Sequence, residues 1–269
     1  TGLTLLAPSV GGTLNVVIDP TTANDNGGFG MSLTLNSTDA LRLLMQDVTA
    51  NNNTGPGISL TANSISGTVW ASFVNVQAND NGGAGLSAAL VGNQGVAVVR
   101  NWPISLGSGE SSIQANGNTG PGINLTAVSP SGFVMVASDR IEASGNSSDG
   151  ATLYLDGPEN VTALLGDVNA NTNGSIGFSI VGSATNGATI LGMTSLRAQG
   201  NASDGASITL ASLDQVQAFV GSDIYPYPGQ PPAGGIDVSD NGGVGLSLTA
   251  TSSDGGATGI PGPGGAGNR

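Results

Sequence analysis

The stretch Ala50-Asn51-Asn52-Asn53-Thr54-Gly55-Pro56-Gly57-Ile58-Ser59-Leu60 decides how this chain folds. It joins an apolar step to a polar corner and then to the start of an alternating strand, and it recurs. With Gly57 as anchor, equivalents stand at Gly30, Gly85, Gly122, Gly150, Gly177, Gly205 and Gly245, with a partial copy at Gly2. From Gly2 onward the anchors are 28, 27, 28, 37, 28, 27, 28 and 40 residues apart, a period of 27 to 28 interrupted by two insertions. A fixed period of this size marks a solenoid, in which each repeat buries its apolar face only against its neighbours.

Four residues before the eight full anchors stand Asn26, Asn53, Asn81, Asn118, Asn146, Asn173, Asn201 and Asn241. Alanine sits seven before in every full copy except the last, which has Val238. After the anchor, pairs such as Met31/Leu33, Ile58/Leu60, Ile123/Leu125 and Ile208/Leu210 alternate with small polar residues, the period-two pattern of a half-buried strand. Each coil then holds a second β-rich run, such as Leu41 to Met45 or Val161 to Leu165, and a third short strand at the apolar-x-Ala step.

The expected fold is all-β. It is a right-handed parallel β-helix of eight to nine coils of 27–28 residues, with three strands per coil in three parallel sheets. At ~4.8 Å per coil the rod is about 40 Å long. The solenoid is placed at 1–253, with insertions within 91–117 and 206–245, and a Gly/Pro-rich tail at 254–269. The recurring Asn is expected at a sharp corner, where it tolerates αL and bonds its own turn, and where successive carboxamides align into a ladder. Neighbouring glycines are expected to supply positive φ at the same corner.

Composition narrows the function. Gly accounts for 45 of 269 residues, and only 4% are aromatic, so small aliphatic side chains must fill a narrow core. There is no Cys, His or Lys, which excludes disulfides, thiolate and imidazole catalysis, and Cys/His metal centres. A net charge of −13 repels phosphates and anionic lipid, so neither nucleic acid nor membrane insertion is expected. No catalytic residue and no cofactor is assigned.

The Gly-Gly-x-Gly runs at Gly27, Gly82 and Gly242 invite comparison with the calcium-binding nonapeptide repeat, which needs Asp two residues after the last Gly. Those positions are Ser32, Ser87 and Ser247. The corner acids Asp25, Asp80, Asp149, Asp204 and Asp240 are read as a solvated acidic surface able to gather an occasional Ca²⁺. Arg140 and Asp167, at equivalent positions on neighbouring coils, are expected to pair. The insertions carry Trp102, Tyr225 and Tyr227, amphipathic handles for a partner-contact loop.

The 50–60 stretch and its seven relatives resemble the repeat of right-handed parallel β-helix proteins of the pectin-lyase-like kind, over nearly the whole chain. That resemblance implies the fold, and its weight falls on the non-enzymatic extracellular and adhesin members. The lyases of this kind use Arg or Lys bases near acidic calcium ligands, and the hydrolases use clustered Asp with a His. No such set maps onto residues here.

The reading favoured by the sequence is an extracellular structural subunit that joins head to tail with copies of itself into a filament. The chain opens on Thr1-Gly2-Leu3-Thr4-Leu5, midway through the corner-to-strand motif, and its Gly245-Leu246-Ser247-Leu248 strand lacks the rest of its coil. Leu3, Leu5, Leu246 and Leu248 are therefore the expected end-to-end interface. The alternatives are a segment of a cell-surface adhesin or autotransporter-like stalk, and a β-helix that binds or cleaves polysaccharide, as a tailspike does, with surface glycans as partner.

Overall fold

Period-two apolar runs make strands, and the computed structural model shows those strands stacked coil on coil. It describes residues 1–9, 11–99, 112–221, 235–253 and 256–261. A nine-stranded sheet contains, in order, β1 (Leu3–Pro8), β4 (Met31–Ser37), β6 (Ile58–Ser64), β8 (Leu86–Gly92), β11 (Ile123–Val128), β13 (Ala151–Gly157), β15 (Phe178–Ala184), β17 (Ala206–Ser212) and β20 (Leu246–Ser252). A twelve-stranded sheet runs β2 (Leu14–Ile18), β5 (Leu41–Thr49), β7 (Thr68–Gln77), β10 (Ser112–Gln114), β12 (Phe133–Glu142), β14 (Val161–Asn169), β16 (Thr189–Arg197), β18 (Val216–Val220) and β21 (Ala257–Pro261). The short strands β3 (Thr21–Thr22), β9 (Gly95–Val98) and β19 (Gly235–Asp237) join the same sheet beside β5, between β7 and β12, and beside β16. Neighbouring strands pair in parallel, each with its equivalent in the next coil. The chain is a parallel β-solenoid, all-β, with no helix among the described residues.

It makes about seven turns, slightly fewer than the eight to nine coils counted from the anchors. The three β-runs of each coil also form two hydrogen-bonded sheets where three were expected. In β5 and β7 the second and third runs are one strand, bent at Asp47 and Asn75, which take φ of 51° and 50° and are skipped by the ladder. A bend of one residue is too short to end the pairing. Asn75 Nδ2 donates to Asp47 Oδ1 at 2.7 Å, tying one bend to the next.

The inward side chains form a continuous core. In β4, Met31, Leu33 and Leu35 are buried while Ser32, Thr34 and Asn36 face outward. Each fully buried Leu, Ile or Val stabilises the fold by about 1.5–3 kcal/mol. Column volumes complement one another along the stack. Phe178, the largest side chain in its column, has Ala151 on one side and Ala206 on the other. That alternation keeps density high in a narrow core with few aromatics.

Both insertions leave the nine-stranded sheet in register, with Leu86 opposite Ile123 and Ala206 opposite Leu246. The twelve-stranded sheet continues beyond residue 253, the expected end of the solenoid. Strand β21 pairs with β18 from Val216↔Ala257 to Val220↔Pro261. Its Pro lies at the end of an edge strand, where a missing N–H does not interrupt a ladder.

Candidate functional site

The corner that leads into the nine-stranded sheet concentrates the polar chemistry of the molecule. The sequence reading put the ladder Asn itself in αL, but the structure puts the residue before it there. Asp25, Asn52, Asp80, Gly117, Gly145, Thr172, Gly200 and Asp240 all take φ between 53° and 68°. Asp and Asn bear this conformation at modest cost and Gly at none, whereas β-branched Thr172 is strained by it. The ladder Asn is thereby free to point inward, and Asn53, Asn81, Asn118, Asn146, Asn173 and Asn201 are at most 2% exposed.

Each of these carboxamides links two coils. The Oδ1 of Asn53 accepts both the backbone N–H and the Nδ2 of Asn26, at 3.0 and 2.9 Å. The same double bond joins Asn53 to Asn81, Asn81 to Asn118, Asn118 to Asn146, Asn146 to Asn173, Asn173 to Asn201 and Asn201 to Asn241. The ladder is unbroken through both insertions. Buried carboxamides demand this satisfaction, since an unpaired buried amide costs about 1–3 kcal/mol.

Glycine supplies positive φ at this corner, as expected, at Gly117, Gly145 and Gly200, but the anchor glycines do not. None of Gly30, Gly57, Gly85, Gly122, Gly150, Gly177 or Gly205 has positive φ. The requirement is space: a Cβ on Gly57 would lie 2.6 Å from Asn81 Nδ2 and 2.8 Å from the carbonyl oxygens of Ala50 and Gly85. Asn and Gly recur together because the carboxamide of the next coil fills the volume that the Gly leaves empty.

A second ladder, two residues earlier, escaped the sequence reading. Asn24 Oδ1 accepts the Asn51 N–H, Asn51 that of Asn79 and Asn79 that of Asn116, at 2.7 to 2.8 Å. Asn116 and Asn171 continue it, with Ser144 standing between them. Its signal lay in the sequence, where the residue two before the ladder Asn is itself Asn in five of the eight copies, at 24, 51, 79, 116 and 171.

The corner acids divide into two kinds. Asp25, Asp80 and Asp240 occupy the αL position, whereas Asp149 and Asp204 accept the N–H groups of Ile176 and Val244 in the following coil. Among the described residues no three His, Cys, Asp or Glu gather to hold a metal ion. Arg140 stands opposite Asp167 in the ladder, but its guanidinium lies 3.8 Å from Glu142 on its own strand. The expected cross-coil pair with Asp167 is replaced by this intrastrand contact. Gln199 Nε2, donating at 2.6 Å, holds the exposed Asp237 carboxyl below the ordinary aspartate value of 3.8, and Ser239 reinforces it.

Leu3 and Leu5 are half-buried, while their ladder partners Met31 and Leu33 are 0% and 1% exposed. Leu248 is 37% exposed and its partner Ile208 1%, with Leu246 half-buried. Trp102, Tyr225 and Tyr227 lie outside the described residues. No described helix is long and apolar enough to cross a membrane. What fold and corner define is a parallel β-solenoid whose coils are fastened by buried asparagine ladders. No protein family, curated protein or solved structure matches the chain.

Proposed function

We propose that this chain is a non-enzymatic structural β-solenoid that works outside the cell, stacking end to end on copies of itself into a filament. The observation that carries the reading is the one-way sense of the ladder. Seven consecutive Asn links all donate toward the next coil and accept from the previous one. Along this ladder every coil donates at one rim and accepts at the other, and the Asn24 ladder runs the opposite way, so the two rims of a coil are different and each complements the other in a head-to-tail contact. Such a contact is heterologous and does not close, which is the geometry of a fibre. This holds wherever the chain starts or stops. The resemblance to non-enzymatic pectin-lyase-like β-helices supports it, as does a composition without His, Cys or Lys.

Sedimentation velocity over a concentration series, with negative-stain microscopy, tests the proposal. The expected result is growing species and fibres for the wild type, and loss of both when Leu246 and Leu248 are changed to Lys. A wild type that remains a single-chain rod at every concentration overturns the filament and favours the stalk of a surface adhesin.

A further inference from the structure

The outward face of the nine-stranded sheet takes no part in the ladders or the core. Its first column runs Ser32, Ser59, Ser87, Asn124, Thr152 and Ser179 on consecutive strands, continuing as Ser207 and Ser247. The next column mixes Thr34, Thr61, Thr126 and Thr209 with Ala89, Tyr154 and Val181. Three properties set this face apart. Of its outward residues, only Asp156 is charged, although the chain carries 18 acidic residues and five Arg. Neither insertion breaks its register. And among the described residues its Ser and Thr hydroxyls have no hydrogen-bond partner, unlike the corner hydroxyls of Ser37 and Ser129, which bond across their turns.

The face is therefore an array of Ser and Thr hydroxyls with a single charge, interspersed with methyl groups, on a backbone lattice. Its repeats are ~4.8 Å between strands and ~6.8 Å between alternate residues. Thr adds stiffness, because its β-branch restricts χ1. A flat periodic array needs a ligand that is itself periodic and neutral. Polysaccharide sites rely on aromatic platforms and on grooves with converging polar groups, and this face offers one aromatic ring, Tyr154. Water needs no groove: each molecule adjusts to a hydroxyl, and neighbouring hydroxyls at these spacings hold waters near the separations of the ice lattice. Acidic side chains would orient waters strongly about themselves and spoil that order, and the face nearly excludes them.

We infer that the outer face of the nine-stranded sheet binds ice. The inference does not rest on the filament. Nanolitre osmometry and partition into slowly grown ice test it on the full chain. The wild type is expected to shape crystals, open a gap between freezing and melting, and enter the ice. Thr61→Tyr with Thr126→Tyr should lose all three while melting as the wild type does by circular dichroism. Ile65→Tyr, at a corner off the face and 65% exposed, should keep them. Ser87→Lys, a second face variant, gives the same loss if the Tyr pair fails to fold. A wild type excluded from ice, or a folded face variant as active as the wild type, overturns the inference. So does retention on cellulose or chitin without any effect on ice, which reassigns the face to neutral glycans.

Discussion

The carboxamide oxygen of Asn146 accepts two hydrogen bonds from Asn118 in the preceding coil, from Nδ2 at 3.0 Å and from the backbone N–H at 2.9 Å. Asn146 in turn donates its own Nδ2 to Asn173 at 3.1 Å. One side chain therefore satisfies buried groups on both sides of its coil. Its removal leaves the Asn118 N–H without a partner and takes one bond each from Asn118 Nδ2, which keeps the Asn116 carbonyl, and from Asn173 Oδ1, which keeps the Asn146 N–H.

Asn146→Ala should accordingly cost about 2–4 kcal/mol, at the high end for a polar truncation. Asn26→Ala, at the rim of the ladder, should cost about 1 kcal/mol, because water reaches the groups it leaves. Chemical denaturation of both variants checks the ratio, and equal losses would remove the ladder from the account of stability.

Thr172 takes φ of 53° where the equivalent positions hold Asp, Asn or Gly. Thr172→Gly should relieve backbone strain that exceeds the entropy Gly adds to the unfolded chain, with a net gain of about 0.5–1 kcal/mol. A raised thermal midpoint is the expected readout. A lowered one would show that the Oγ1 bond to the Asn171 carbonyl, at 2.7 Å, outweighs the strain.

Gly57→Ala and Gly27→Ala make a controlled pair. Neither glycine has positive φ, so conformational freedom does not distinguish them. A Cβ at Gly57 meets backbone oxygens at 2.8 Å, whereas one at Gly27 meets nothing within 4 Å. The first change should destabilise by roughly 2 kcal/mol or more and the second should be neutral or slightly stabilising. Denaturation midpoints measured side by side decide it.

Asp237 should titrate below an ordinary aspartate, because Gln199 and Ser239 bond to its charged form. A carboxyl with a depressed folded value contributes stability that is fully present above its unfolded value near 3.8 and is lost as pH falls through the folded value. Gln199→Ala should move the Asp237 midpoint upward in a carboxyl-detected NMR titration and shrink that acid-side loss. An unmoved midpoint would show that the 2.6 Å contact does not persist in solution.

The repeat was legible because its causes are local. The Asn-to-Gly offset of four, the period of 27 to 28 and the alternation after each anchor belong to every coil, and a polymer of identical coils has few ways to bury its apolar face. The same regularity concealed some functions of individual residues. Asn24, Asn51 and Asn79 recur visibly, but that each bonds a backbone N–H 27 or 28 residues away is a contact between coils, which the spacing alone does not reveal.

By itself, then, the sequence determined the period, the identity of the inward residues and the position of the Asn ladder, since each follows from side-chain chemistry repeated at one spacing. The tertiary structure decided three other matters. It placed αL one residue ahead of the ladder Asn, because only that arrangement turns the carboxamide inward. It gave the anchor glycines a steric purpose, because the atoms they would strike belong partly to the next coil. And it merged the second and third runs of a coil at Asp47 and Asn75, because a bend of one residue preserves a ladder that a longer corner would have cut.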